Sequence, residues 1–156
     1  MPLPGPQPSF CKPETLSDSA ITLLPVRFSE ADPAKRHVPS CTFLILPRNG
    51  GVAGCLQLRL GDASGELYFP GHIGYRIKKS FRGNGYAEKS IHLILPYAAR
   101  LGFREIWISC RPDNTASRIS CERAGGILRE TVPVPPSHEM YIQGYRKACR
   151  YCFGTG

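Results

Sequence analysis

Two hydrophobic rhythms alternate along the chain from Cys41 onward. Residues 41–46 and 52–60 are short apolar runs rich in strand formers. Between them stands Arg48-Asn49-Gly50-Gly51, where Asn and Gly tolerate positive φ, so 41–60 reads as an antiparallel hairpin. Residues 72–78 alternate with a period of two and set Ile73, Tyr75 and Ile77 on one face of a strand. The period then becomes helical: Ala87, Ile91, Leu95, Ala98 and Leu101 form one stripe, and Gly102 ends it as a C-cap. Pro96 falls inside that stripe and predicts a kink, at a cost of ~3 kcal/mol relative to a good helix former. Residues 104–110 are apolar on both faces, which predicts a central strand with Trp107 in the core. A second helix spans 114–124, capped by Asn114 and stopped by Gly125-Gly126. Residues 127–132 form another strand, prolines 133, 135 and 136 break the chain, and 145–153 return as a last strand.

Upstream the pattern is weaker. Residues 1–20 carry five prolines and few bulky apolar groups, and read as a flexible arm ahead of a single domain over 21–156. Residues 21–27 form a strand interrupted by Pro25, hence an edge strand. Residues 28–37 hold about one helical turn, started by Ser29 and limited by Pro33. The order β-β-β-α-β-α-β-β, with a strand–helix–strand crossover from His72 to Cys110, predicts an α/β (α+β) fold. Its sheet is mixed and mostly antiparallel, with one right-handed parallel pair and flanking helices.

Composition narrows the setting. An apolar content of 42% with 21% charged residues fits an ordinary folded domain. No apolar run reaches the ~20 residues that span a bilayer, so no membrane role is expected. The proline-rich start has neither the basic residues nor the apolar stretch of a secretory signal, which points to the cytoplasm. Seven cysteines are an odd number and come without a secretion signal, which argues against a disulfide framework. Cys149-Arg150-Tyr151-Cys152 is a C-x-x-C without the second pair a zinc site needs, so no metal is expected. The net charge of +8 favours a polyanionic partner, and nucleic acid, an anionic membrane or a phosphate-rich cofactor all satisfy it.

Arg82-Gly83-Asn84-Gly85-Tyr86-Ala87 lies between a strand and a helix. Its glycines let the backbone turn sharply and approach a ligand, and the first amides of the helix have no internal partner. With the positive end of the helix dipole, they make a cradle for pyrophosphate. Arg76, Lys78, Lys79 and Arg82 surround it with positive charge. It is neither a Walker loop nor a G-x-G-x-x-G fingerprint.

Residues 71–87 (GHIGYRIKKSFRGNGYA) resemble the signature of the GNAT superfamily of acyl-CoA-dependent N-acetyltransferases, in which a strand leads into Arg/Gln-x-x-Gly-x-Gly/Ala. Here those positions are Arg82, Gly85 and Ala87. A second block, Asn114-Thr115-Ala116-Ser117 followed by Gly125-Gly126, matches the family's next helix. The stretch is most similar to a bacterial subgroup of predicted acetyltransferases carrying Gly-His-Ile-Gly-Tyr on the central strand.

The resemblance implies that the strands at 72–78 and 104–110 splay apart and admit the pantetheine arm of acetyl-CoA. The arm would bond to the backbone near Arg76, Ile77 and Lys78. Pyrophosphate would sit on Gly83, Asn84, Gly85, Tyr86 and Ala87 beside Arg82, with Asn114 and Ser117 near the arm. The expected reaction is acetyl transfer to a primary amine by direct attack. Two departures from the family stand out. The tyrosine that many members carry seven residues after the asparagine is Cys121 here, and the region before the hairpin is short. The proton-transfer candidates are His72, Cys121 and Tyr151, with Glu66, Tyr141 and Tyr145 behind them. Two rivals are a non-catalytic acetyl-CoA sensor and a basic RNA-binding protein. The second has no aromatic strand motif in its favour, and no nucleic acid is expected. A homodimer is an open option.

Overall fold

The computed structural model describes residues 13–156. Eight strands form one sheet in the order β1-β2-β3-β4-β5-β6-β8-β7. In chain order they are β1 (Leu16–Ser17), β2 (Ile21–Ser29), β3 (Ser40–Pro47), β4 (Gly54–Arg59), β5 (Ile73–Ile77), β6 (Glu105–Cys110), β7 (Ile127–Pro133) and β8 (Lys147–Gly154). Helix α1 (Tyr86–Arg100) joins β5 to β6, α2 (Thr115–Arg123) joins β6 to β7, and the short α3 (Glu139–Ile142) precedes β8. Every neighbouring pair is antiparallel except β5 with β6. The predicted mixed sheet with its one parallel pair is therefore what the chain forms.

One face of the sheet holds the core. Leu23, Phe43, Leu56, Leu58, Ile73, Ile106 and Ile108 are all buried, and Ile91, Ile94 and Ala98 of α1 pack in the same cluster. The helix runs unbroken through Pro96. Pro96 and His92 both lie on its exposed side, so the carbonyl freed by the missing N–H faces water. Both long helices end in the same way. Phe103 N donates to Ala98 O and Gly102 N to Ala99 O, while Gly126 N donates to Cys121 O and Gly125 N to Glu122 O. Gly102 and Gly125 take the positive φ that this cap requires.

Several expectations shift. Of the arm expected over 1–20, the first twelve residues lie outside the described ones, whereas Leu16–Ser17 pairs with β2 and Leu16 is buried. Pro25 is tolerated because β1 reaches only Thr22 and Leu23, and the register with β3 slips between Pro25 and Arg27. No helical turn begins at Ser29, which belongs to β2. A 3-10 turn starts at Pro33 instead, a first position that suits the fixed φ of proline. Trp107 is only half-buried, on the face opposite the core, under the Arg150 guanidinium at 4.4 Å from its ring. The last strand, expected over 145–153, spans Lys147–Gly154 and lies between β6 and β7. Cys149 and Cys152 stand three residues apart in β8 and so point to opposite faces. Among the described residues no helix is long and apolar enough to cross a membrane.

Candidate functional site

The parallel pairing of β5 with β6 is confined to Ile73 and Ile108. Beyond that pair the strands separate, and the rest of β5 has no partner on this side. Lys78 N donates to Ala53 O and Arg59 N to His72 O, both at 2.7 Å. In this register Gly74, Arg76 and Lys78 turn their backbone groups toward β4, as does the His72 carbonyl, whereas His72 N donates to Trp107 O of β6 at 2.7 Å. Tyr75 and Ile77 turn theirs into the gap. The open backbone expected at Arg76, Ile77 and Lys78 is thus corrected to Tyr75 and Ile77. Arg76 and Lys78 contribute exposed side chains instead. The Ile77 carbonyl already accepts from Arg82 Nε at 3.2 Å, which folds Arg82 back along the gap.

At the end of β5 a 3-10 turn, Lys79–Phe81, leads into the glycine loop. Gly83 and Gly85 both take left-handed φ, +85° and +71°. Gly85 is the N-cap of α1 and has no side chain to occupy the helix amides, whose first internal bond is Lys89 N to Gly85 O. Consequently no amide from Gly83 to Glu88 has an acceptor among the described residues. Asn84 braces the turn by donating from Nδ2 to Phe81 O at 2.9 Å, and Lys89 Nζ donates to Asn84 O at 2.7 Å. Six successive unclaimed amides, a helix N-terminus and five basic side chains (Arg76, Lys78, Lys79, Arg82 and Lys89) fit a pyrophosphate group.

Helix α2 forms the opposite wall. Asn114 Oδ1 accepts from Ser117 N at 3.2 Å and fixes the first turn. Ser117 Oγ shares a 2.6 Å hydrogen bond with the hydroxyl of Tyr75, which reaches across from β5. One turn further, Cys121 is fully buried, with its sulfur 4.0 Å from the same hydroxyl. Burial pushes the Cys121 thiol up to about 12, and it likewise holds the Tyr75 phenol well above its ordinary value. Both groups stay protonated at neutral pH.

The structure corrects two proton-transfer candidates. His72 is buried on β5, and both its ring nitrogens are spent. Trp107 N–H donates to Nδ1 at 3.0 Å, so Nε2 carries the proton and donates to Gly61 O at 3.1 Å. Burial lowers its pKa to about 4, so it is a neutral structural strut. Tyr151 is also fully buried. Its hydroxyl accepts from Arg118 Nε at 3.2 Å and donates to Glu122 Oε1 at 3.3 Å, away from the gap. Tyr145 alone of the C-terminal tyrosines lines the cleft, while Tyr141 stacks under Arg146. The residue that sequence reasoning passed over is Tyr75. Its alternation with Ile73 and Ile77 suggested core packing and hid its hydroxyl.

Beyond the gap lies a cavity of about 1450 Å³. It is walled by the turn after β2, by residues 65–70, by α3 and by the open face of the sheet. His37 and Glu139 meet at 3.3 Å across its mouth. Glu66, also in its wall, accepts from Asp62 N at 3.2 Å. Among the described residues, no group of three or more His, Cys, Asp or Glu could hold a metal ion.

A family model described as an acetyltransferase (GNAT) domain matches residues 10–127. No curated protein gives a significant sequence match. Solved structures do share the fold. RimL, a ribosomal L7/L12 alpha-N-protein acetyltransferase in complex with coenzyme A, is 17% identical with a TM-score of 0.66, over 90% of this chain and 98% of that one. The microcin C7 self-immunity acetyltransferase MccE, in complex with acetyl-CoA and AMP, is 18% identical with a TM-score of 0.59, over 74% and 61%. A spermidine N-acetyltransferase from Vibrio cholerae, in complex with CoA and spermine, is 14% identical with a TM-score of 0.56, over 74% and 66%. At these identities the likeness is one of fold.

Proposed function

The chain belongs to the GNAT acetyltransferase family and is an acyltransferase, and from that premise we propose that it moves the acetyl group of acetyl-CoA to a primary amine by direct attack. The observation that carries this reading is the run of unclaimed amides from Gly83 to Glu88 at the end of a strand pair joined by one residue pair. Tyr75 and Ile77 offer the open strand edge that would receive the pantetheine amides, while Arg82, Lys78 and Lys79 neutralise phosphate charge. Asn114 and Ser117 hold the far wall.

Bound acetyl-CoA supplies an electrophilic thioester carbonyl and a thiolate leaving group. A neutral amine forms the C–N bond, the C–S bond breaks, nitrogen loses a proton and sulfur gains one. The carboxylates of Glu66 and Glu139 in the cavity wall accept the amine proton through solvent. Tyr75 gives a proton on the thiolate side. Its hydroxyl stands beside Cys121, the position where many family members carry a tyrosine, so the phenol missing from α2 comes from β5. Ser117, 2.6 Å away, aims it.

The test is thermal melting with acetyl-CoA at low salt, followed by thiol release across a panel of amines. A shift together with amine-dependent release is expected. Absence of any shift at millimolar acetyl-CoA sinks the reading. A shift without release from any amine leaves a binding protein without turnover.

A further inference from the structure

Arg59 ends β4 on the open face of the sheet, half-buried in the wall of the cavity. Its Nη1 donates to Pro70 O at 3.0 Å and to Gly71 O at 3.2 Å, which fixes the guanidinium plane. No described ion pair includes it. A guanidinium carries five donor hydrogens, and here Nε and Nη2 have no acceptor. The one side-chain nitrogen or oxygen that is both buried and unpartnered among the described residues is Ser109 Oγ, so the spare Arg59 donors open onto the cavity. Burial lowers the Arg59 pKa, and Tyr145 and Glu139 are the facing groups that oppose the shift. Glu139 itself is held by His37.

The neighbours of Arg59 make a slot. Gln57 on β4 pairs with Gly74 on β5. Ile73 pairs with Ile108, so Gly74 and Ser109 follow on the same open face. A Cβ at Gly74 would stand 2.6 Å from Arg59 Nη2, so the missing side chain is what lets the guanidinium lie over β5. The slot therefore has an arginine on one side and the orphan Ser109 hydroxyl on the other. It lies at the point where β5 and β6 part.

The geometry points to an acceptor that carries a carboxylate close to its amine, gripped by Arg59 with Ser109 as a further donor. A planar carboxylate matches the guanidinium fork, and a cation placed there would be repelled. The carboxylate belongs to a free amino acid or to an acidic residue at a peptide N-terminus, and polyamines are excluded. This inference rests on the acetyltransferase reading.

Matched amines distinguish these sources: an α-amino acid and its carboxamide, a peptide amide with N-terminal aspartate and its asparagine counterpart, and spermidine. Each is read by acetyl transfer, and in parallel by thermal shift of the CoA-saturated protein, which needs no turnover. One carboxylate arm should exceed its neutral partner by roughly 10- to 100-fold, the worth of a charge-assisted pair. Arg59→Gln should collapse that ratio. Gly74→Ala, which keeps the arginine and displaces its tip, should do the same. Equal use or equal binding of the neutral partners, or preference for spermidine, overturns the inference while a thermal shift by acetyl-CoA persists. Loss of that shift in the wild type would instead remove the reading beneath it.

Discussion

The hydroxyls of Tyr75 and Ser117 meet at 2.6 Å across the gap between β5 and α2, although 42 residues separate them in the chain. Tyr75→Phe removes this hydroxyl while keeping the ring. It should lower kcat by roughly 10²-fold, the usual worth of a positioned proton donor, with acetyl-CoA affinity nearly unchanged. Steady-state kinetics with a separate binding titration checks this. A purely structural role would lower the melting temperature and leave kcat near wild type.

Cys121→Ala should behave differently. The thiol is fully buried and its pKa is raised to about 12, so it neither ionises nor reaches solvent. Turnover should fall by less than about tenfold, with the loss tracking stability as for a small buried side chain. A hundredfold loss with melting temperature and affinity preserved would return the proton donor to α2.

Gly85→Asp should abolish acetyl-CoA binding in a folded protein. The residue has φ +71°, and its new Cβ would stand 3.2 Å from Lys89 Nζ. A carboxylate there would draw Lys89 away from Asn84 and set negative charge beside the amides. Wild-type protein at 100 times the dissociation constant should gain ~2.7 kcal/mol of stability. The variant should gain none, as read by melting with and without ligand.

His72 gives a pH signature in stability rather than in chemistry. Its folded pKa, about 4, lies below its ordinary 6.5 because burial disfavours the imidazolium. The unfolded chain therefore binds the extra proton first. The contribution is complete above the unfolded value and is lost as pH falls toward the folded one. Between pH 6.5 and pH 5 this should cost about 1–2 kcal/mol. Denaturant titrations of wild type and His72→Gln at both pH values check the difference. Equal pH dependence in the two proteins would show that His72 takes up its proton as readily in the fold as in the unfolded chain.

The sequence was most legible where local chemistry decides the conformation. Gly83 and Gly85 announce a turn that opens a helix, Asn114 announces a cap, and Gly102 and Gly125 end helices by their φ alone. Strand partners in the hairpin follow from alternation and one turn. The cavity side was not legible. The bonds of His72 to Gly61 and Trp107, and of Tyr75 to Ser117, join residues far apart in sequence and leave no periodic trace. Arg59 reads as an ordinary polar position on a strand until Gly74 is seen beneath it. Helix α3 has four residues, too few for any repeat to register.

Joining five strands to three through the short seam of His72 and Ile73 with Trp107 and Ile108 makes the sheet two stiff plates that share a rivet. Whatever fills the slit beyond the rivet then acts as a shim and sets the tilt between the plates. The N–H groups of Tyr75 and Ile77 face that slit, whereas those of Gly74 and Arg76 are locked to β4. Deuterium uptake should therefore alternate residue by residue along β5. It should be fast at the two slit-facing amides in the free protein and slow at their neighbours. A wedged ligand should erase the alternation, reporting through the backbone itself that the plates have been set.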